Sequence, residues 1–296
     1  MFEEFLGNTE LKIEISERID SGSLPHALVF SGDDGTGCDY FSRLVAQEYL
    51  KDKNGLVMRN VHPDYLLVQG SGASGQVAVS DVREALYEMN KAAVMTDGNR
   101  VVHIRQAENL NTNSANALLK MMEEPPDGVI FILTVKRLDD LLPTLQSRSV
   151  HYRIKPLSVD ECAQEAVSRT GMNEEQSRNY SELFGGRLGL VLRTANDKRF
   201  LFCVQTAERF LDSALKKNRY GMMESLSQAE DREQLSEILR IILSGVSVLI
   251  QNSPDNAGFP ARIFEYASDA LEQNDSFINS KTACAVLAAK ISKARI

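Results

Sequence analysis

The sequence predicts an α/β unit built on a parallel sheet, followed by an all-helical region. Two observations carry that reading. Over the first half, short apolar runs alternate with amphipathic helical patterns, the signature of strands joined by helical crossovers. After Lys155-Pro156-Leu157 the strand-length runs stop and only helical periodicity remains. The chain has 296 residues, 43% hydrophobic and 25% charged, an ordinary globular mix with length for two domains or three small ones.

Ala27-Leu28-Val29-Phe30 reads as a buried strand, followed by a glycine loop and an amphipathic helix over Phe41 to Leu50. Tyr65-Leu66-Leu67-Val68 is the second strand. Ser80 to Ala93 has helical spacing, and Ser80 is the expected N-cap. Arg100 to Ile104 is a third strand, and Ala115 to Glu124 is a helix stopped by Pro125-Pro126. Val129 to Leu133 is a fourth strand, Leu138 to Ser147 a helix or turn, and Val150 to Ile154 a fifth strand. Gly70-Ser71-Gly72-Ala73-Ser74-Gly75 is a flexible loop by composition.

In the second half, Ser158 and Glu161 form a capping box opening a helix that ends at Gly171. Asn173 to Phe184 is a second helix closed by Gly185-Gly186, and Leu188 begins a third. From about Asp197 the helices lengthen. Between Asp231 and Ile250, Leu235, Ile238, Leu239, Ile242, Val246 and Leu249 recur at helical spacing and read as a core stripe. Asn252 to Pro260 reads as a polar loop, followed by helices over Phe264 to Leu271 and Lys281 to Ile291.

Composition excludes several classes of function. No apolar run approaches the roughly 20 residues that span a bilayer. The start, Met1-Phe2-Glu3-Glu4-Phe5, lacks the apolar stretch of a secretory signal, so a cytoplasmic protein is expected. The four cysteines, Cys38, Cys162, Cys203 and Cys284, are widely spaced; they read as free thiols, with no structural zinc site. A net charge of −8 argues against strong autonomous nucleic-acid binding.

The glycine loop, Gly32-Asp33-Asp34-Gly35-Thr36-Gly37-Cys38-Asp39, occupies the strand-to-helix position of a phosphate-binding GxxxxGK[ST] loop. Gly32 and Gly37 hold the two glycine positions. Cys38 replaces the lysine and Asp39 the magnesium-binding hydroxyl, while Asp33 and Asp34 add carboxylates. The expectation is a phosphate loop in shape only, against the alternative of a coincidental glycine turn. Phosphate-loop ATPases also end a later strand in a magnesium-binding Asp followed by a Glu. Here those positions carry Arg105 and Gln106, and a cation cannot ligate magnesium. A thiol at a helix N-terminus can be a nucleophile, but Asp33, Asp34 and Asp39 favour the protonated form of Cys38.

Four segments then follow in order: Leu24-Pro25-His26-Ala27; His62-Pro63-Asp64; Asn113 to Pro126, NSANALLKMMEEPP; and Leu141 to Ser149, LLPTLQSRS. This series resembles the bacterial DNA polymerase III clamp-loader family, and within it the delta-prime type of subunit, over about residues 1–157. The resemblance implies an AAA+ fold: a RecA-like parallel-sheet domain over residues 1–155, a small helical lid over 156–197 and an all-helical collar over 198–296. It also implies a five-subunit ring with gamma/tau-type ATPase subunits and a delta subunit, joined through the collars. That ring opens a sliding clamp and places it on primed DNA.

The resemblance further implies a silent nucleotide site, with no ATP or zinc bound. Arg148 matches the arginine offered to a neighbouring subunit's ATP, where a guanidinium neutralises charge on the γ-phosphate oxygens. Several positions bear on this resemblance. No cysteine lies between Cys38 and Cys162, so the four-cysteine zinc module of many relatives is missing. Ser149 replaces the usual Cys after the finger arginine. Thr134 matches a γ-phosphate-sensing position and is expected to be an ordinary strand end. Arg187 lies near a nucleotide-contacting lid arginine but out of register, so that role is not carried over. His26 and His62, each beside a proline, read as structural. Other readings stay open: an active, motor-type AAA+ ATPase or a nucleotide-regulated AAA+ protein, and a thiol enzyme centred on Cys38.

Overall fold

The computed structural model describes residues 1–70, 75–96, 98–252, 254–276 and 280–294. The chain divides into two compact units, Met1–Leu157 and Ser158–Ile296. The glycine- and serine-rich stretch 71–74, expected as a flexible loop, lies outside the described residues.

The first unit runs α1 (Thr9–Asp20), β1 (Ala27–Ser31), α2 (Cys38–Tyr49), β2 (Tyr65–Val68), α3 (Val79–Met89) and β3 (Arg100–Ile104). It continues through α4 (Thr112–Glu123), β4 (Val129–Val135), α5 (Pro143–Gln146) and β5 (Val150–Arg153). The five strands form one sheet in the order β2-β3-β4-β1-β5, and every pairing is parallel. β1, β3 and β4 are buried along their whole length. Strands covered on both faces read as unbroken apolar runs, which is why the sequence pattern found them. Alternate residues serve opposite faces. Val29, Phe131 and Leu133 join Leu118 and Met122 of α4 and Leu145 of α5 in one core. Leu28, Phe30 and Ile132 pack with Ile15 and Phe41 in the other.

Several local expectations need correction. α3 begins at Val79 behind Ala78, so Ser80 is not the cap; its hydroxyl donates to Asp81 instead. α4 begins earlier than expected because the Asn111 side chain accepts from Ser114 N–H. β4 runs on through Thr134 and Val135. The Leu138–Ser147 stretch splits into a 3-10 turn at Leu138–Asp140 and the short α5, which starts at Pro143. α1 is not among the expected elements: its narrow stripe of Leu11, Ile15 and Ile19 packs on the core, with only Ile15 fully buried.

The N-terminal edge of the sheet is held by a buried acid. Both Asp64 oxygens accept backbone N–H groups, from Val94 at 2.8 Å, Met95 at 2.8 Å and Thr96 at 3.2 Å. The buried Arg100 lies 3.6 Å from the same carboxylate and donates to the carbonyls of Glu88 and Lys91.

The second unit contains α6 (Val159–Thr170), α7 (Glu174–Leu183), α8 (Leu188–Asn196), α9 (Lys198–Leu215), α10 (Arg219–Leu226), α11 (Arg232–Asn252), α12 (Gly258–Asp275) and α13 (Ser280–Lys293). The Ser158–Glu161 capping box forms, and Gly171 closes α6 in the left-handed conformation. Asn173 caps α7 and Asp197 caps α9 through their side chains. In α11, Leu235, Ile238, Leu239, Ile242 and Val246 are buried as expected, but Leu249 is 39% exposed and does not continue the core. The expected polar loop after Asn252 is shorter, because Pro254–Asn256 is a 3-10 turn and α12 already starts at Gly258. Among the described residues no helix is long and apolar enough to cross a membrane.

Candidate functional site

The glycine loop sits where β1 ends and α2 begins, at the C-terminal edge of the sheet. Gly37 has φ +96° and Gly35 φ +88°, so the tight turn needs glycine at both places. Gly32 faces a filled space: a Cβ there would meet Thr36 Oγ1 at 2.7 Å, Cys38 Sγ at 2.8 Å and Ile154 O at 2.9 Å. Phosphate loops work by aiming free amides at the ligand. Two amides of this loop are turned inward instead, Gly32 N–H donating to Val135 O and Thr36 N–H to Asp33 O. The Thr36 hydroxyl also donates to Asp33 O at 2.8 Å. At the lysine position, burial is the main cause that pushes the Cys38 thiol up to about 11, with Asp33 and Asp34 adding to it. Asp39, expected to contribute, turns its carboxylate elsewhere.

That carboxylate meets the strand that would carry the magnesium ligand. Arg105, just beyond β3, brings Nε to 3.5 Å from Asp39 Oδ1. Arg43 Nε donates to Asp39 Oδ2 at 3.1 Å. The charges of the two positions are thus inverted relative to a cation site: an acid replaces the hydroxyl and a guanidinium replaces the acid. The fully buried His103 points Nε2 to within 3.9 Å of Asp39 Oδ1, and neither atom has a hydrogen-bond partner. Its Nδ1 pairs with the Tyr65 hydroxyl at 2.7 Å, and burial lowers its pKa to about 4. Gln106 takes a left-handed φ of +54°. Its N–H donates to Thr134 Oγ1 at 3.1 Å, so the hydroxyl of the sensor-like position already accepts a backbone hydrogen bond. Asp34 pairs with Lys136 at 2.7 Å. The residues present do not fit a magnesium nucleotide: the lysine is absent and an arginine faces the cation position.

Arg148 lies at the other edge. It precedes β5, which runs parallel to β1, and so sits at the N-terminal end of the sheet. Its guanidinium is partly exposed and contacts Glu123 Oε1 at 2.6 Å. It also donates to Thr144 O and the Ser147 hydroxyl.

The remaining candidates are structural in their contacts. His62 is buried and its Nδ1 accepts from Asp64 N–H at 3.1 Å. His26 is exposed, and its carbonyl accepts from Phe131 N–H. Arg187 donates to Phe184 O and the Ser244 hydroxyl within the helical unit. All four cysteines are free, Cys162 and Cys203 buried and the other two half-buried. Among the described residues, no three His, Cys, Asp or Glu side chains group to hold a metal ion. Sequence reasoning missed Arg43, His103 and Tyr65 around Asp39. The one available signal was the i,i+4 spacing of Asp39 and Arg43 on α2.

A family profile described as DNA polymerase III, delta subunit, matches residues 7–158. The DNA polymerase III subunit delta' of Haemophilus influenzae is 26% identical over 196 residues, 62% of this chain and 59% of that protein. Subunit gamma/tau of Mycobacterium tuberculosis is 30% identical over 167 residues, 53% of this chain but only 29% of that protein. In structure, a DNA polymerase III gamma subunit-related protein of Thermotoga maritima aligns with TM-score 0.57 over 95% of this chain and 98% of that one. At 17% identity the likeness is one of fold. The chain belongs to the DNA polymerase III delta-subunit family, in the clamp-loader group with the delta' and gamma/tau subunits, and its sheet and helical unit are of the AAA+ type.

Proposed function

On the premise of that membership, we propose that this chain is a non-catalytic, delta-prime-like subunit of the DNA polymerase III clamp loader. It helps place the sliding clamp on primed DNA in the cytoplasm during replication and offers Arg148 to the ATP of a neighbouring gamma/tau-type subunit. One observation carries the reading: the chain's own loop sets Asp39 against Arg105 at one edge of the sheet, while Arg148, partly exposed and paired with Glu123, lies at the opposite edge. A donor group at one end and its counterpart site at the other is the arrangement of head-to-tail contacts, which form a ring where the rotation between subunits closes. The own site binds neither ATP nor magnesium. Residues 156–197 act as the lid, and residues 198–296 form the collar that joins the ATPase subunits and a delta subunit.

A second reading, an ATP-binding motor-type subunit, is favoured by the 30% identity to gamma/tau. It requires the loop to bind phosphate without a lysine.

The test is reconstitution with gamma/tau-type and delta subunits. Arg148→Ala is expected to lower turnover at the adjoining site by about 10³-fold, the lower end for such arginines, with assembly intact. Unchanged turnover in an intact complex would remove the role.

A further inference from the structure

Arg148 is not loose. Its Nη2 lies 2.6 Å from Glu123 Oε1, and its Nη1 faces Thr144 O at 3.3 Å and Ser147 Oγ at 3.4 Å. Glu123 is the last residue of α4. A carboxylate is disfavoured at a helix C-terminus by the peptide dipoles, so the local helix gives no reason for an acid there; the guanidinium does. The backing is rigid. Leu118 and Met122 of α4 and Leu145 of α5 are buried in one core, so the carboxylate and the turn bearing the arginine are fixed by the same packing. A side chain held near its working geometry reacts without first being ordered.

We infer that Glu123 is a positioning residue for Arg148. It holds the guanidinium in one place in the free subunit, and gives up Nη2 when a partner's more highly charged phosphate arrives. The contact is solvent-exposed, 38% and 51% at the two side chains. Pairs of that kind are weak enough to exchange. The role rests on Arg148 acting in trans.

The test uses the reconstituted complex. Glu123→Ala is expected to lower kcat at the adjoining site about two- to fivefold, the span of an exposed ion pair, with KM for ATP unchanged, because ATP is held by the neighbour's own loop. Glu123→Gln keeps the accepting oxygen and retains most of the wild-type kcat. Both substitutions are on the surface and leave the core filled. If Arg148→Ala lowers turnover but Glu123→Ala leaves kcat at or above wild type, the positioning role is overturned and the finger stands. If Arg148→Ala itself is silent, the finger reading falls and Glu123's role with it.

Discussion

At the C-terminal edge of the sheet Asp39, Arg43 and Arg105 turn their charges on one another, whereas at the N-terminal edge Arg148 lies partly in solvent beside one exposed carboxylate. Open α/β sheets ordinarily bind ligands at the C-terminal edge. In this molecule several polar groups of that edge have internal partners: the loop amides of Gly32 and Thr36, the Thr134 hydroxyl, and Asp39 Oδ2, which pairs with Arg43. The opposite edge keeps a cation that can be redirected. The two edges thus differ in how their charged groups are held: by mutual ion pairs at one, and by a single partly exposed pair at the other.

The largest effect should come from the frame of the N-terminal edge. Asp64 and Arg100 are both buried, and the acid also orders the Val94–Thr96 backbone. Removing one member of such a pair leaves the other uncompensated, so Asp64→Ala should cost about 3–5 kcal/mol in urea unfolding. A loss below about 1 kcal/mol would mean that this edge is not rigid.

The next concerns the closed edge. His103 titrates near 4 in the folded chain because burial opposes its charge, against about 6.5 when unfolded. The unfolded state therefore takes up the proton first as pH falls. Stability is full above pH 6.5 and drops between 6.5 and 4, by about 3 kcal/mol in all. His103→Gln should flatten that part of the pH–stability curve. An unchanged slope would place the titration on another group.

Cys38 offers a sharper view of the same edge. With its thiol pushed up to about 11, alkylation by iodoacetamide at pH 7.5 should run about a hundredfold slower than for a free cysteine and should climb with pH. Rapid labelling of the Cys38 peptide would revive the thiol-enzyme reading. The smallest effect is expected at Arg105, whose side chain is 44% exposed: Arg105→Ala should change stability by no more than about 1 kcal/mol. A larger loss would mean that the Asp39 contact holds the fold and does not merely occupy the site.

Much of this was legible in the sequence. The strands were, because β1, β3 and β4 are buried on both faces and carry short apolar runs such as Ala27–Phe30 and Val129–Leu133. The capping box at Ser158 was, because its two residues are local. α1 was not, although Leu11, Ile15 and Ile19 recur every four residues and pack on the core; eight polar or charged residues surround this narrow stripe, and only Ile15 is fully buried. At the candidate site, Cys38, Asp39, Arg105 and Gln106 could each be recognised as a lost function. That Asp39 and Arg105 meet could not, because the contact joins α2 to the end of β3 and exists only after folding. Glu123 was hidden for the same reason: its partner arrives from beyond β4.

The central claim is that the chain's own loop no longer binds nucleotide. Calorimetric titration of Mg-ATP into the isolated protein tests it directly. No binding heat up to millimolar ATP is the predicted result; saturable binding in the micromolar range would contradict it and return the loop to the class of working nucleotide sites.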